Sequence, residues 1–320
     1  MEAIHYSIFP VDPGAHLFEV MLWIENPAPE GQRLSLPTWI PGSYLIREFA
    51  RHIDRVSAFS LRKAPGWLLS PGTDRPHGRP SAEAQGRTSK RKAPQAVGIQ
   101  QPVAPLLPLP SGTAWEPATA LGTSAVPVPI RKIDKNTWCC DPVGRQGDGL
   151  LLHYQVYAWD LSVRAAHLDG SHGFFNGSSV FLCVRGQEAA PCSVDILPPA
   201  GSRYADWRVA TTLPLSGPAI RGSVSGHHDG GPFGRYRAAD YDELIDHPVE
   251  MGMFQYASFE TGGCLHELAI TGRAEVDFER LIRDLKPICQ TQIELFEPKR
   301  RRAPVDRYLF MTMAVGDGYG

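Results

Sequence analysis

HLFEVMLWIE (residues 16–25) decides the fold. Phe18, Val20, Leu22 and Ile24 alternate with their neighbours and so fall on one face, at the period of two expected of a half-buried strand. LLLHYQVYAW (150–159) repeats the pattern and aligns Leu152, Tyr154, Val156 and Ala158. SVFLCV (179–184) and CSVDIL (192–197) are short runs rich in β-formers, separated by Gly, Pro and polar turns. Many short strands at this spacing predict a mainly β chain folded as an antiparallel β-sandwich. The 31 Gly and 29 Pro agree, because they favour turns over helical bundles.

Outward from these strands the pattern breaks twice. Between residues 63 and 129 lie 12 of the 29 prolines, with only Asp74, Glu83 and Glu116 as acids. Lacking periodic apolar surface to offset the entropy of ordering, the segment 63–126 is expected to be a disordered insertion. Its SKRKAP run (89–94) reads as a solvated basic stretch in a loop rather than a nucleic-acid or targeting patch. Towards the C-terminus, EVDFERLIRDLKPICQTQIELFE (275–297) sets Phe278, Leu281, Ile282, Leu285, Ile288 and Phe296 near one helical stripe. Pro287 either kinks that helix or opens a second one at its first turn. The apolar strand and glycine-rich turn YLFMTMAVGDGYG (308–320) follow. A helix and a buried strand after a long β region predict two units, residues 1–255 and 256–320.

The charge balance, 32 Lys plus Arg against 34 Asp plus Glu, removes any global case for binding nucleic acid or an acidic membrane. No stretch approaches the ~20 apolar residues needed to span a bilayer. The start MEAIHYSIFPVDPG lacks the basic and apolar regions of a signal peptide. Six cysteines without a CxxC pair are too sparse for a disulfide framework. These readings predict a soluble, cytoplasmic protein in a reducing compartment.

A search for chemistry returns little. Zinc hydrolases place two histidines four residues apart on a helix with a Glu between them. Here His266 and Glu267 begin that pattern, but Ile270 stands where the second His would be, and the surroundings read as a strand His beside a surface Glu. His167, Asp169 and His172 lie within six residues around the turn LDGS and could supply three metal ligands, although a turn Asp and hydrogen-bonded histidines account for the same residues. His227, His228 and Asp229 fall in a glycine-rich loop with nothing to fix ligand geometry. There is no GxSxG elbow and no phosphate loop, and Gly316, Gly318 and Gly320 do not make GxGxxG. No metal ligand is assigned within the chain.

Four segments in this order resemble the glycyl aminopeptidase family of zinc metallopeptidases: LPTWIPGSYLIREFAR (36–51), AHLDGSHGFFNGSSVFL (166–182), YDELIDHPVEMGMF (241–254) and the terminal YLFMTMAVGDGYG. PVPIRKIDKNTW (127–138) is similar to the family pattern resuming after the insertion. The resemblance implies an N-terminal β domain, a thermolysin-like α+β catalytic domain and a PDZ domain. It implies that this chain carries the first domain and only the first helix and strand of the second, truncated before the zinc site. Gly320 matches the first glycine of the family's substrate-amine motif. Zinc is expected for the full-length enzyme and none for this chain, which is expected to be inactive, with a peptide substrate bound only by a full-length enzyme. Trp39, Pro41, Tyr44, Arg47, Arg51, Phe174, Phe175 and Asn176 are read as core and interdomain packing. The terminal strand, deprived of its partner, is expected to favour self-association. The alternative reading is a non-catalytic β-sandwich binding or interaction module.

Overall fold

The computed structural model describes residues 2–40, 43–66, 125–145, 147–221 and 230–316. The SKRKAP run, most of the 63–126 segment, Pro41, the His227, His228 and Asp229 group and Gly320 lie outside the described residues.

The architecture is mainly β. An eight-stranded sheet runs in the order Leu215–Arg221, Phe233–Ala238, Cys192–Ile196, Ile4–Asp12, Leu17–Ile24, Gly149–Tyr157, Ile53–Leu61 and Val126–Val128. All neighbours are antiparallel except Ile4–Asp12 and Cys192–Ile196, which run parallel. Two four-stranded antiparallel sheets complete the first lobe: Arg208–Ala210, Val249–Gly252, His172–Phe175 and Ala166–Leu168 form one, and Cys183–Val184, Arg33–Ser35, Thr137–Cys140 and Ile130–Lys132 the other.

The alternation in residues 16–25 finds its face. Phe18, Val20, Leu22 and Ile24 are fully buried in one core with Leu150, Leu152, Tyr154 and Val156, and Leu34, Phe175 and Phe181 reach that core from outside the large sheet. The strand is not half-buried, however. Met21 and Trp23 on its second face join Phe59, Leu61 and Leu151 in a separate cluster, and Glu19 stands 3.3 Å from His153. Further along the same sheet His5 Nε2 and Arg235 Nε contact the buried Asp195 carboxylate at 3.1 and 2.7 Å.

SVFLCV is another departure. Only Cys183–Val184 pairs as strand, after a 3-10 turn at Gly177–Ser179. The intervening carbonyls are satisfied by side chains: Tyr154 donates to Val180 O at 2.8 Å, Tyr241 to Phe181 O at 2.7 Å and Tyr6 to Leu182 O at 2.8 Å. Three buried hydroxyls thus replace a ladder, which meets the requirement that buried carbonyls be paired.

A three-stranded sheet begins at Gln255: Gln255–Thr261 pairs antiparallel with Cys264–Gly272, which pairs parallel with Arg307–Ala314. One helix, Phe278–Phe296, makes the crossover between the parallel strands, capped by Asp277 Oδ1 on Arg280 N at 3.0 Å, with Pro287 inside it. Phe278, Leu281, Ile282 and Leu285 pack on the sheet as the stripe predicts. The row then continues through the buried Cys289 and the half-buried Ile293, and Ile288 and Phe296 fall outside it and are exposed. The terminal strand is not unpartnered as expected: one edge is paired through eight register positions, from Leu265 opposite Arg307 to Gly272 opposite Ala314. Its other edge has no partner among the described residues.

Cys264–Gly272 divides its side chains between two neighbours. His266 and Leu268 lie on the helix side, His266 stacking on Phe259 at 4.9 Å. Glu267, Ala269 and Thr271 face the first lobe, where Ala269 meets Phe254 and Ala210. Glu267 is therefore buried rather than a surface acid, bound by Arg307 and by the Tyr256 hydroxyl.

Candidate functional site

The sequence LDGS folds as the tight end of a hairpin between Ala166–Leu168 and His172–Phe175. Asp169 shapes it: its Oδ1 accepts from Ser171 N and Ser171 Oγ, both at 2.6 Å, and from His172 N at 3.1 Å. Those hydrogen bonds outweigh the effect of burial and hold the Asp169 carboxyl down at about 2. Across the hairpin Phe174 stands opposite His167. Strand alternation puts Leu168 and Phe175 into the core and leaves His167, His172 and Phe174 on the other face.

The next strand brings the missing acid. Phe174 pairs in register with Glu250, and His172 with Gly252. Gly252 has φ +155°, and a Cβ there would lie 3.0 Å from the His172 Cβ, so a glycine lets the two strands approach this closely at His172. His172 Nδ1 is 3.0 Å from Glu250 Oε1, which also accepts from Thr271 Oγ1 at 2.8 Å. Burial alone would lower the His172 pKa, but the Glu250 carboxylate, with Asp169 behind it, outweighs burial and raises it. For His167, burial and the neighbouring His172 lower it.

His167, His172, Glu250, Thr271, Leu309 and Met311 line a cavity of about 230 Å³ between the first lobe and the terminal sheet. The two imidazoles stack at 4.9 Å, and Trp159 covers His167 at 4.8 Å. His167 Nε2 is 3.5 Å from Asp169 Oδ2, and one ligand atom from each of His167, Asp169 and His172 lies within 4.8 Å of the others. The three residues read from the sequence as explicable by turn chemistry do converge. Glu250 was not singled out as a site residue; the available signal was an acid within the otherwise apolar run PVEMGMF.

Other sequence candidates lie apart from this cavity. Phe175 is in the core, as read. Trp39 is half-exposed and lines a separate open groove of about 1840 Å³ with Asn176, whose Oδ1 caps the Gly177–Ser179 turn. Tyr44 is fully exposed rather than packed, while Trp39 Nε1 donates to Ser43 O. His266 and Glu267 point to opposite faces of one strand and cannot share an ion, and His266 Nδ1 is already 3.0 Å from Cys264 O. The residues present therefore do not fit a catalytic zinc of the HExxH kind. All six cysteines are free, and no helix of the described residues is long and apolar enough to cross a membrane.

The first lobe is mainly β and presents a cleft towards the start of a second sheet. The chain belongs to the Peptidase M61 N-terminal domain family, whose model matches residues 5–65 and 100–253. Among solved structures, an aminopeptidase N family protein from Idiomarina loihiensis is 34% identical with a TM-score of 0.70, covering 99% of this chain and 40% of that one. The chain thus spans well under half the length of that relative. Legionella pneumophila aminopeptidase A matches at 7% identity and a TM-score of 0.42 over 97% of this chain and 28% of its own. Yeast LTA4 hydrolase matches at 9% and 0.43 over 100% and 38%. No curated protein matches the sequence.

Proposed function

We propose that this chain is the N-terminal portion of a zinc-dependent aminopeptidase that removes N-terminal Gly or Ala from peptides, its β lobe walling one side of the substrate cleft. The observation that carries the reading is the 34% identity to an aminopeptidase N family protein across 99% of this chain, together with the M61 family match. Since no HExxH occurs in the 320 residues and His266 and Glu267 diverge, the chain by itself does not hydrolyse peptides. Its substrate is a peptide, and neither nucleic acid nor a membrane is a partner. The edge of Arg307–Ala314 that has no partner among the described residues is the route by which the isolated chain self-associates.

The test has two arms. The 320-residue chain with added Zn²⁺ is assayed on glycyl- and alanyl-p-nitroanilide, where no turnover above background is expected; zinc-dependent turnover would show that the catalytic ligands had been misread. Residues 1–255 are then exchanged for their counterparts in the Idiomarina loihiensis protein, after the parent's aminopeptidase activity has been measured. The chimera should keep that activity within about tenfold. A folded chimera without activity would overturn the assignment of this lobe to a peptidase.

A further inference from the structure

We propose that His167, Asp169 and His172 form a binding site for one divalent transition-metal ion of the Zn²⁺ or Co²⁺ kind, oriented by Glu250 and facing the cavity between the lobes. The inference is independent of the peptidase reading, because it is read by binding alone.

The donor set comes first. Two imidazoles and one carboxylate suit borderline ions better than Mg²⁺ or Ca²⁺, which prefer oxygen alone. Zinc is held at about 2.0–2.1 Å by nitrogen or carboxylate oxygen, which puts tetrahedral ligand atoms about 3.4 Å apart. His167 Nε2 and Asp169 Oδ2, at 3.5 Å, already stand at that spacing. One ligand atom from each of the three residues lies within 4.8 Å of the others, so the set has to close by a little over 1 Å on binding.

The second observation is an unexplained orphan. His172 is 1% exposed, yet its Nε2 is buried with no hydrogen-bond partner. Leaving a buried polar nitrogen unpaired costs about 1–3 kcal/mol, so it calls for a reason. For His172 the reason is visible in its other nitrogen. Glu250 holds Nδ1–H, which fixes the tautomer whose bare lone pair is on Nε2, and a carboxylate behind a histidine is how metal-ligating imidazoles are ordinarily aimed. Thr271 in turn fixes Glu250, at 2.8 Å. Asp169 is ready as well: its Oδ1 is occupied by the turn, while Oδ2 is the oxygen turned to His167. Three protein ligands beside a cavity of about 230 Å³ leave a fourth position for water or a small ligand.

The test uses the full 320-residue chain after removal of any histidine tag. It is titrated with Co²⁺, following visible ligand-field absorption and equilibrium dialysis, with Zn²⁺ then added to displace the colour. One Co²⁺ per chain is expected, bleached by one equivalent of Zn²⁺. Asp169→Asn keeps the oxygen that caps the turn, so the fold survives, and affinity should fall at least tenfold. Glu250→Gln should weaken binding about 10- to 100-fold, as loss of an orienting partner does. His172→Gln should abolish it. Absence of a stoichiometric Co²⁺ complex in the wild-type chain would overturn the proposal. So would binding that persists unchanged in folded Asp169→Asn and His172→Gln, which would place the ion elsewhere.

Discussion

Arg307→Met tests how the terminal sheet is held to the first lobe. Arg307 grips Glu267 with Nε on Oε2 at 2.9 Å and Nη2 on Oε1 at 3.0 Å, and its Nη2 reaches Thr211 O of the first lobe at 3.4 Å. The Glu267 side chain is 5% exposed and the Arg307 side chain 37%. Removing one partner of a fully buried ion pair costs about 3–5 kcal/mol, because the other charge is left unpaired. Here the cation side reaches water and the Tyr256 hydroxyl still serves Glu267, so the expected loss is about 2–3 kcal/mol. In a chain of this size, with an unfolding entropy of about 0.7 kcal/mol/K, that is a fall in melting temperature of roughly 3–5 °C. Urea unfolding gives the magnitude, and hydrogen exchange of the 307–314 amides shows whether the loss is local to that strand. Glu267→Gln with Arg307→Met should recover part of the loss, giving a coupling of about 1 kcal/mol or more. A single-variant loss under about 0.5 kcal/mol, or strictly additive variants, would refute the reasoning.

Asp195 governs acid stability. Burial raises its pKa, but the hydrogen bonds and charges of His5 and Arg235 outweigh that and hold it below the usual 3.8. A depressed carboxyl contributes stability that is present above its unfolded value and lost as pH falls through the folded one. Asp195→Asn should therefore flatten the decline of stability below about pH 4, and it should cost about 3–5 kcal/mol at neutral pH. Parallel pH profiles of the variant and wild type, measured by urea midpoints, would contradict this. Phe175→Ala empties a site with no exposure that lies edge-on to Phe18 at 5.7 Å and Phe181 at 5.6 Å, and it should cost about 3–5 kcal/mol by thermal or urea unfolding.

The large sheet was legible in the sequence where alternation is local: Phe18 to Ile24 and Leu152 to Val156 announce their core face by spacing alone. What burial does to the opposite face was not, because Trp23, Glu19 and Asp195 are covered by partners that no window of ten residues contains. The helix was readable up to Leu285; beyond Pro287 several apolar residues compete for the stripe, and only the sheet beneath selects Cys289. The site divides in the same way. His167, Asp169 and His172 lie within six residues of one hairpin, so their proximity could be read, whereas Glu250 joins them across 78 positions through a strand register. The Glu267 environment likewise depends on Arg307, 40 positions on.

The strand Cys264–Gly272 answers to two masters, with its even-numbered side chains His266 and Leu268 committed to the helix and its odd-numbered Glu267, Ala269 and Thr271 to the first lobe. Gaining or losing a single residue there would exchange the two sets wholesale, sending a carboxylate beneath the helix and an imidazole against Phe254. Length change in this strand can be tolerated only in steps of two, so descendants of this sequence should vary it by substitution and confine insertions to the connections on either side.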